Sequence, residues 1–208
     1  METQAQRTDL GPAARRVAGL LARVEDRQLG LPTPCPDYAV RELLAHVGGL
    51  ALAFRDAARK AFGPTTDTDP GSARPVLDEE WRTVFPRRLE ELAEAWRDPA
   101  AWEGMTRAGG VDLPGGVAGL VAFNELLVHG WDLARATGQP YAPGEDELRV
   151  SYGFLEPGAS ERVAGQDPFG PPVAVPDDAP LLDRVIALSG RRPDWPGRSV
   201  DGEAAPAG

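Results

Sequence analysis

From Val117 to Ala134 runs the longest apolar-rich stretch of the chain, and Glu125, His129 and Asp132 stand inside it. A membrane span does not carry three ionisable groups without a buried purpose. The stretch therefore reads as a long interior helix, about 115 to 137, ended by the Gly138-Gln139-Pro140 stop signal.

The apolar spacing elsewhere is also helical. Val17, Leu20, Leu21 and Val24 follow the i, i+3, i+4, i+7 pattern and predict a first helix over roughly 12–27. The connector LPTPCPDY holds three prolines and forbids helix. Asp37 is the expected N-cap of a second helix over about 38–62, with Val40, Leu43, Val47, Leu50 and Phe54 on one face. The segment FGPTTDTDPGSARP is a loop by composition. A third helix places Trp81, Val84, Leu89, Leu92 and Trp96 inward, with Pro86 expected to kink or split it. The acidic run Asp78-Glu79-Glu80 reads as its solvated first turn. Residues 98–116 are expected to be irregular, and short helices are predicted near 145–155 and 178–189.

No segment alternates with period 2 between turn signals, so no sheet is expected. The fold expected is all-α: a four-helix bundle with short additional C-terminal helices. One domain over 1–195 and a disordered tail over 196–208 complete that reading.

Bulk properties narrow the function classes. There are 32 acidic against 22 basic residues, a formal charge of -10, which argues against nucleic acid and anionic membrane surfaces as partners. A lone cysteine, Cys35, rules out an internal disulfide framework and a cysteine-based metal cluster. The first residues lack the apolar core of a signal peptide, so the expected location is cytoplasmic. Lys60 is the only lysine, a bias that points to a GC-rich genome and not to a mechanism.

The chain has two histidines, His46 and His129, both inside apolar helices. A buried imidazole must find hydrogen-bond partners or bind something. Glu125 and His129 are four residues apart and share a helix face, and Asp132 lies on the same stripe with Ala118, Ala122 and Ala136. Such small side chains are expected to leave a cavity between helices. A buried carboxylate costs several kcal/mol without compensation, and a divalent cation removes that cost. With His46 from the second helix, two imidazoles and a carboxylate form a set that suits Zn2+ first, and also Fe2+, Ni2+ or Mn2+. Three protein ligands leave a position open, as catalytic sites do. Asp132 is the candidate orienting or proton-handling group. The plainer alternative is a helix-surface pair at i, i+4 beside a satisfied core histidine.

The segments TPCPDYAVRELLAHVGG and NELLVHGWDLARATGQP resemble two helix signatures of the mycothiol-dependent maleylpyruvate isomerase N-terminal metal-binding domain family, within the DinB-like superfamily. The closing APLLDRVIALSGRRPDW resembles the ending of a short actinobacterial metal-binding branch. Tyr38 stands where this family commonly has a tryptophan. The resemblance implies a DinB-like bundle and a metal held by His46, Glu125 and His129. It also implies a low-molecular-weight thiol such as mycothiol as co-substrate. The family's isomerase has a further C-terminal domain that these residues do not contain, so maleylpyruvate isomerisation itself is not expected.

A metal-bound thiol is deprotonated near neutral pH and becomes a nucleophile. The expected function is thus a metal-dependent S-transferase or isomerase acting on a small electrophile with that thiol. The alternatives are a non-catalytic metal-binding or stress-response module and a thiol-independent metal hydrolase. The oligomeric state is left open, a homodimer included. Cys35 precedes a helix start, yet it sits between two prolines and reads as packed rather than nucleophilic. Trp131 reads as core, Arg135 as a solvated surface residue, and the Gly/Pro-rich segment 165–177 as a candidate border of the pocket.

Overall fold

The structure is a computed structural model that describes residues 7–69, 71–72, 74–163 and 169–196. Helix α1 spans Gly11–Leu21, α2 Val40–Ala58, α3 Pro64–Asp67, α4 Trp81–Ala95, α5 Gly115–Thr137, α6 Glu145–Leu155 and α7 Leu181–Leu188. Strands β1 (Met105–Ala108) and β2 (Val111–Pro114) form one antiparallel hairpin. The four long helices make a four-helix bundle. Both α1 and α2 pack against α4 and α5, so α1 faces α2 across the core diagonal and α4 faces α5. Leu20, Leu43, Phe85, Leu89, Phe123 and Leu127 fill the space between them. Among the described residues no helix is long and apolar enough to cross a membrane.

Each helix follows from its apolar spacing, but its ends follow from local hydrogen bonds. α1 stops at Leu21, six residues before the expected end, and a single 3-10 turn at Asp26–Gln28 follows. There Gln28 accepts from the Glu25 amide at 2.9 Å and fixes the turn. α2 begins at Val40, not 38, and Asp37 does not cap it. The Glu42 carboxylate accepts from the Ala39 amide at 3.2 Å, so the cap comes from three residues inside the helix. Asp37 stays exposed because the connector is tied back to the chain before it: the Val40 and Arg41 amides donate to the Leu31 and Leu29 carbonyls, both at 3.0 Å.

α4 runs unbroken through Pro86. Proline there forfeits one backbone hydrogen bond, and the buried Phe85 and Leu89 on either side hold the helix in place. The acidic run precedes this helix rather than forming its first turn: Glu80 is the N-cap, and Asp78 accepts from the Glu80 amide at 2.9 Å.

Residues 98–116 are more ordered than the sequence reading allowed. The register pairs Ala108 with Val111, leaving Gly109-Gly110 as a two-residue loop with φ of 61° and 78°. Two consecutive positive φ values are what the twist-compatible hairpin turn needs, and glycine adopts them freely. The strands are too short for period-2 patterning to register. Thr106 donates from its hydroxyl to the Ala57 carbonyl at 2.5 Å, and Lys60 donates to the Glu103 carbonyl at 2.6 Å. The hairpin thus closes the C-terminal end of α2, about 16 Å along the helix from His46.

α6 covers α5, where the buried Ser151 hydroxyl meets Asn124 Oδ1 at 2.5 Å, and α7 packs on α6. The α6 bounds are the expected ones; α7 is shorter, Leu181–Leu188. The tail from 197 onward and residues 165–168 of the Gly/Pro-rich segment lie outside the described residues.

Candidate metal centre

α5 is buried along most of its length, and Glu125, His129 and Asp132 come from its inner face. His46 reaches them from α2, the helix α5 packs against. The His129 Nε2 to Glu125 Oε2 distance is 3.1 Å, and His46 Nε2 stands 3.7 Å from the same oxygen. The two imidazole rings meet edge to face with centroids 4.9 Å apart. One ligand atom from each of the three residues lies within 4.8 Å of the others. Bonds of about 2.0–2.1 Å in a tetrahedral arrangement require donor separations of about 3.3 Å. The observed spacing brackets that value.

Charge makes the arrangement more specific than distance alone. Asp132 is fully buried, and its Oδ2 lies 2.9 Å from His129 Nδ1 and 3.2 Å from Arg191 Nη2. A carboxylate beside a guanidinium accepts, so the shared proton sits on Nδ1 and leaves the Nε2 lone pair free. With His129 neutral, Nε2 and Glu125 Oε2 would be two acceptors facing each other at 3.1 Å. Among the described residues, the polar atoms nearest the buried Oε2 are the His129 and His46 Nε2 nitrogens. A cation between them satisfies both atoms, and an imidazole–carboxylate pair behind the ligand is a common support for a metal.

Without a cation, the group compensates by proton distribution. Burial pushes the Glu125 carboxyl up, but His129 and His46 outweigh it and hold it below the usual carboxylate range. Burial pulls the His129 imidazole down, but Asp132 and Glu125 raise it above its ordinary value. His46 is lowered, chiefly by burial, because only Glu125 opposes it.

Three residues that the sequence reading left out of the site surround it. Arg191 follows α7 and holds Asp132; the only signal for it was the SGRRPDW ending. The Tyr38 ring lies 5.0 Å from that of His46, centroid to centroid. Cys35 is close enough that its sulfur, His129 and Asp132 form a second group with metal-ligand spacing. That second group is the poorer cation site. Arg191 already places a positive charge on Asp132, and burial pushes the Cys35 thiol up to about 11. Cys35 is buried and protonated, in keeping with a packing role.

The alanine stripe does not leave the room expected of it. Ala118, Ala122 and Ala136 are all buried. The cavity beside Glu125 measures about 10 Å³, lined by Val47, Ala51, Phe54, Leu92 and Ala122 among others. That holds about one water. Small residues on α5 are used for close helix packing: next to Ala118, the indoles of Trp102 and Trp96 press on Gly119. What solvent contact the site keeps is at the His46 and Glu125 side chains, each 11% exposed. Trp131 is buried as expected, and Arg135 is exposed with its guanidinium on the Trp195 carbonyl at 2.8 Å.

Comparison with known proteins places this geometry in a family. Two uncharacterized proteins of Mycobacterium tuberculosis, from strains CDC 1551 / Oshkosh and ATCC 25618 / H37Rv, are each 30% identical over 181 residues, 84% of this chain and 91% of theirs. The fold is similar to the crystal structure of a histidine-to-alanine mutant of the mycothiol-dependent maleylpyruvate isomerase, with a TM-score of 0.55 and 17% identity over 71% of this chain and 68% of that one. Residues 10–134, which contain His46, Glu125, His129 and Asp132, match the model of the mycothiol maleylpyruvate isomerase N-terminal domain. The chain belongs to the mycothiol maleylpyruvate isomerase N-terminal domain family.

Proposed function

We propose that residues 1–195 form one metal-binding helical unit whose centre holds a divalent cation, zinc in the first instance, on His46, Glu125 and His129. In this reading the unit uses a low-molecular-weight thiol such as mycothiol for S-transfer to, or isomerisation of, a small electrophile. The observation that carries the reading is the buried Glu125 Oε2 standing 3.1 Å and 3.7 Å from two imidazole nitrogens. When bound, the cation acidifies a coordinating thiol and supplies a thiolate near neutral pH. The chain's residues do the rest. Asp132 keeps the His129 proton on Nδ1, so Nε2 remains a donor of its lone pair. The apolar neighbours Val47, Phe54 and Leu126 exclude water from the inner side. The site meets solvent at the His46 and Glu125 side chains, with the Tyr38 ring beside His46, and that is where a thiol would enter.

The test has two parts. Metal analysis of the purified protein should give about one zinc per chain, and His46→Ala should lose it. Conjugation of thiols, mycothiol included, to a panel of electrophiles should then proceed and stop with EDTA. Retained stoichiometric metal in His46→Ala, or no metal-dependent turnover with any thiol, defeats the reading. A second reading, a non-catalytic metal-binding module, is favoured by the single-water size of the cavity beside Glu125. It predicts tight zinc with no exchangeable ligand position and no turnover.

A further inference from the structure

We infer that Arg191, outside the helices that supply the candidate ligands, is a positioning residue of the metal centre: it holds Asp132 so that Asp132 holds His129 with Nε2 turned toward the cation. This inference rests on the metal reading above and adds the C-terminal segment to the site.

The route from sequence to contact is short. α7 ends at Leu188, and Gly190 takes φ +83°, a conformation that L side chains rarely adopt. The turn is closed by the Arg191 amide on the Ile186 carbonyl at 3.1 Å and the Gly190 amide on Ala187 at 3.0 Å. A Cβ on Gly190 would stand 2.8 Å from the Gly170 Cα, so both the turn and the packing demand glycine. This reversal sends the Arg191 side chain back onto α5. There Nη1 donates to the Ser189 carbonyl at 2.9 Å, anchoring the guanidinium, and Nη2 donates to Asp132 Oδ2 at 3.2 Å.

The energetics single out this arginine. Asp132 is 0% exposed; among the described residues its Oδ1 has no hydrogen-bond partner and His129 is the one other donor to its carboxylate. A fully buried carboxylate with one neutral donor is poorly compensated; a buried guanidinium offsets its charge and fixes its orientation. The Arg191 side chain is only 11% exposed, and among the described residues its Nε has no partner. Two incompletely satisfied charged groups are therefore packed together at some cost in stability, a pattern expected where position matters more than stability. The chain of contacts runs Ser189 carbonyl, Arg191, Asp132, His129 and then the candidate cation position.

The experiment measures zinc affinity by chelator competition for the wild type, Arg191→Ala, Arg191→Lys, Asp132→Asn and the Arg191→Ala/Asp132→Asn double variant. Nitrogen NMR of His129 in the zinc-free protein reports its tautomer. Far-UV circular dichroism checks that each variant is folded. Arg191→Ala should lose about 10- to 100-fold in affinity, the range typical of groups that orient a metal ligand. Arg191→Lys should recover part of that loss. In the Asp132→Asn background the Arg191→Ala change should cost less than about 2-fold, since residues acting in one network do not add. Above the pH at which its imidazolium deprotonates, the wild-type His129 should carry its proton on Nδ1, and Arg191→Ala should show a mixture of the two tautomers. A merely structural arginine would weaken both backgrounds equally and leave the tautomer unchanged, and either result overturns the inference. A folded wild type that binds no zinc overturns the metal reading and the inference together. A wild type that binds zinc with no coupling between positions 191 and 132 overturns only the inference.

Discussion

Glu125 and Cys35 lie within the same buried region, yet their surroundings give them opposite chemistry. Two imidazoles keep Glu125 ionised despite its burial, so Glu125→Gln should keep the helix content seen by circular dichroism. It should also reduce zinc affinity by more than the roughly 100-fold upper range for an outer partner, because it removes the one anionic member of the proposed ligand set. Chelator competition measures this. For Cys35, burial raises the thiol above its ordinary value, with Asp132 adding to the effect and Arg191 opposing it. At pH 8 the thiolate is scarce, so alkylation by iodoacetamide, followed by mass spectrometry, should be far slower than in the urea-unfolded protein. Equal rates in the two states would show that Cys35 is exposed and ionised. Glu125 and His129 were legible as a pair because four residues of helix fix them on one face. Arg191 was not legible, since nothing in a Gly-Arg-Arg-Pro sequence shows which way the turn will aim.

Among the elements, α2 and α4 approach closely because Gly48 has no side chain. A Cβ there would lie 2.5 Å from the buried Phe85 ring. Gly48→Ala should gain about 1 kcal/mol of helix propensity but should cost about 2–3 kcal/mol in overpacking. The expected net is destabilisation, read as a lower urea midpoint with an unchanged m-value. An unchanged or raised midpoint would mean that Phe85 moves freely. The same contact explains why sequence reading recovered the helices better than their ends. Apolar spacing fixes which face of α2 turns inward, but its start depends on Glu42 reaching back to Ala39 and on the connector pairing with Leu29 and Leu31. The hairpin escaped because its strands have four residues each, whereas its Gly-Gly turn was in view.

At the scale of the molecule, the buried histidines couple stability to pH. His129 is raised in the folded protein, so its contribution is fully present below its unfolded pKa and lost as pH rises through the folded value. His46 is lowered, so its effect reverses: stability falls as pH drops below the unfolded value. The zinc-free protein should therefore be most stable near the ordinary imidazole pKa of about 6.5 and weaken on both sides. In the proposed reading, zinc would take the place of protons on the imidazoles that face Glu125. With zinc in excess, Tm should rise by mass action, and the increment should grow with pH between 6 and 8. Thermal melts across that range with zinc and with EDTA test both statements. A zinc-induced Tm increment that does not change with pH would disconnect the imidazoles from the metal.

The sequence alone determined the helical class, the inward faces of the long helices, and the candidate residues Glu125, His129, Asp132 and His46. The class, the faces and the α5 residues depend on period and spacing, which are local and read directly along the chain; His46 leaned on the family resemblance of its helix. Only the tertiary structure decided that His46 on α2 and Glu125 on α5 share one oxygen-centred cluster, because that requires two helices to dock in one register. It also decided that the alanine stripe is filled by packing rather than hollow, and that α7 sends Arg191 back onto Asp132. Local spacing orients a side chain about its own helix; what it meets depends on where the other helices pack.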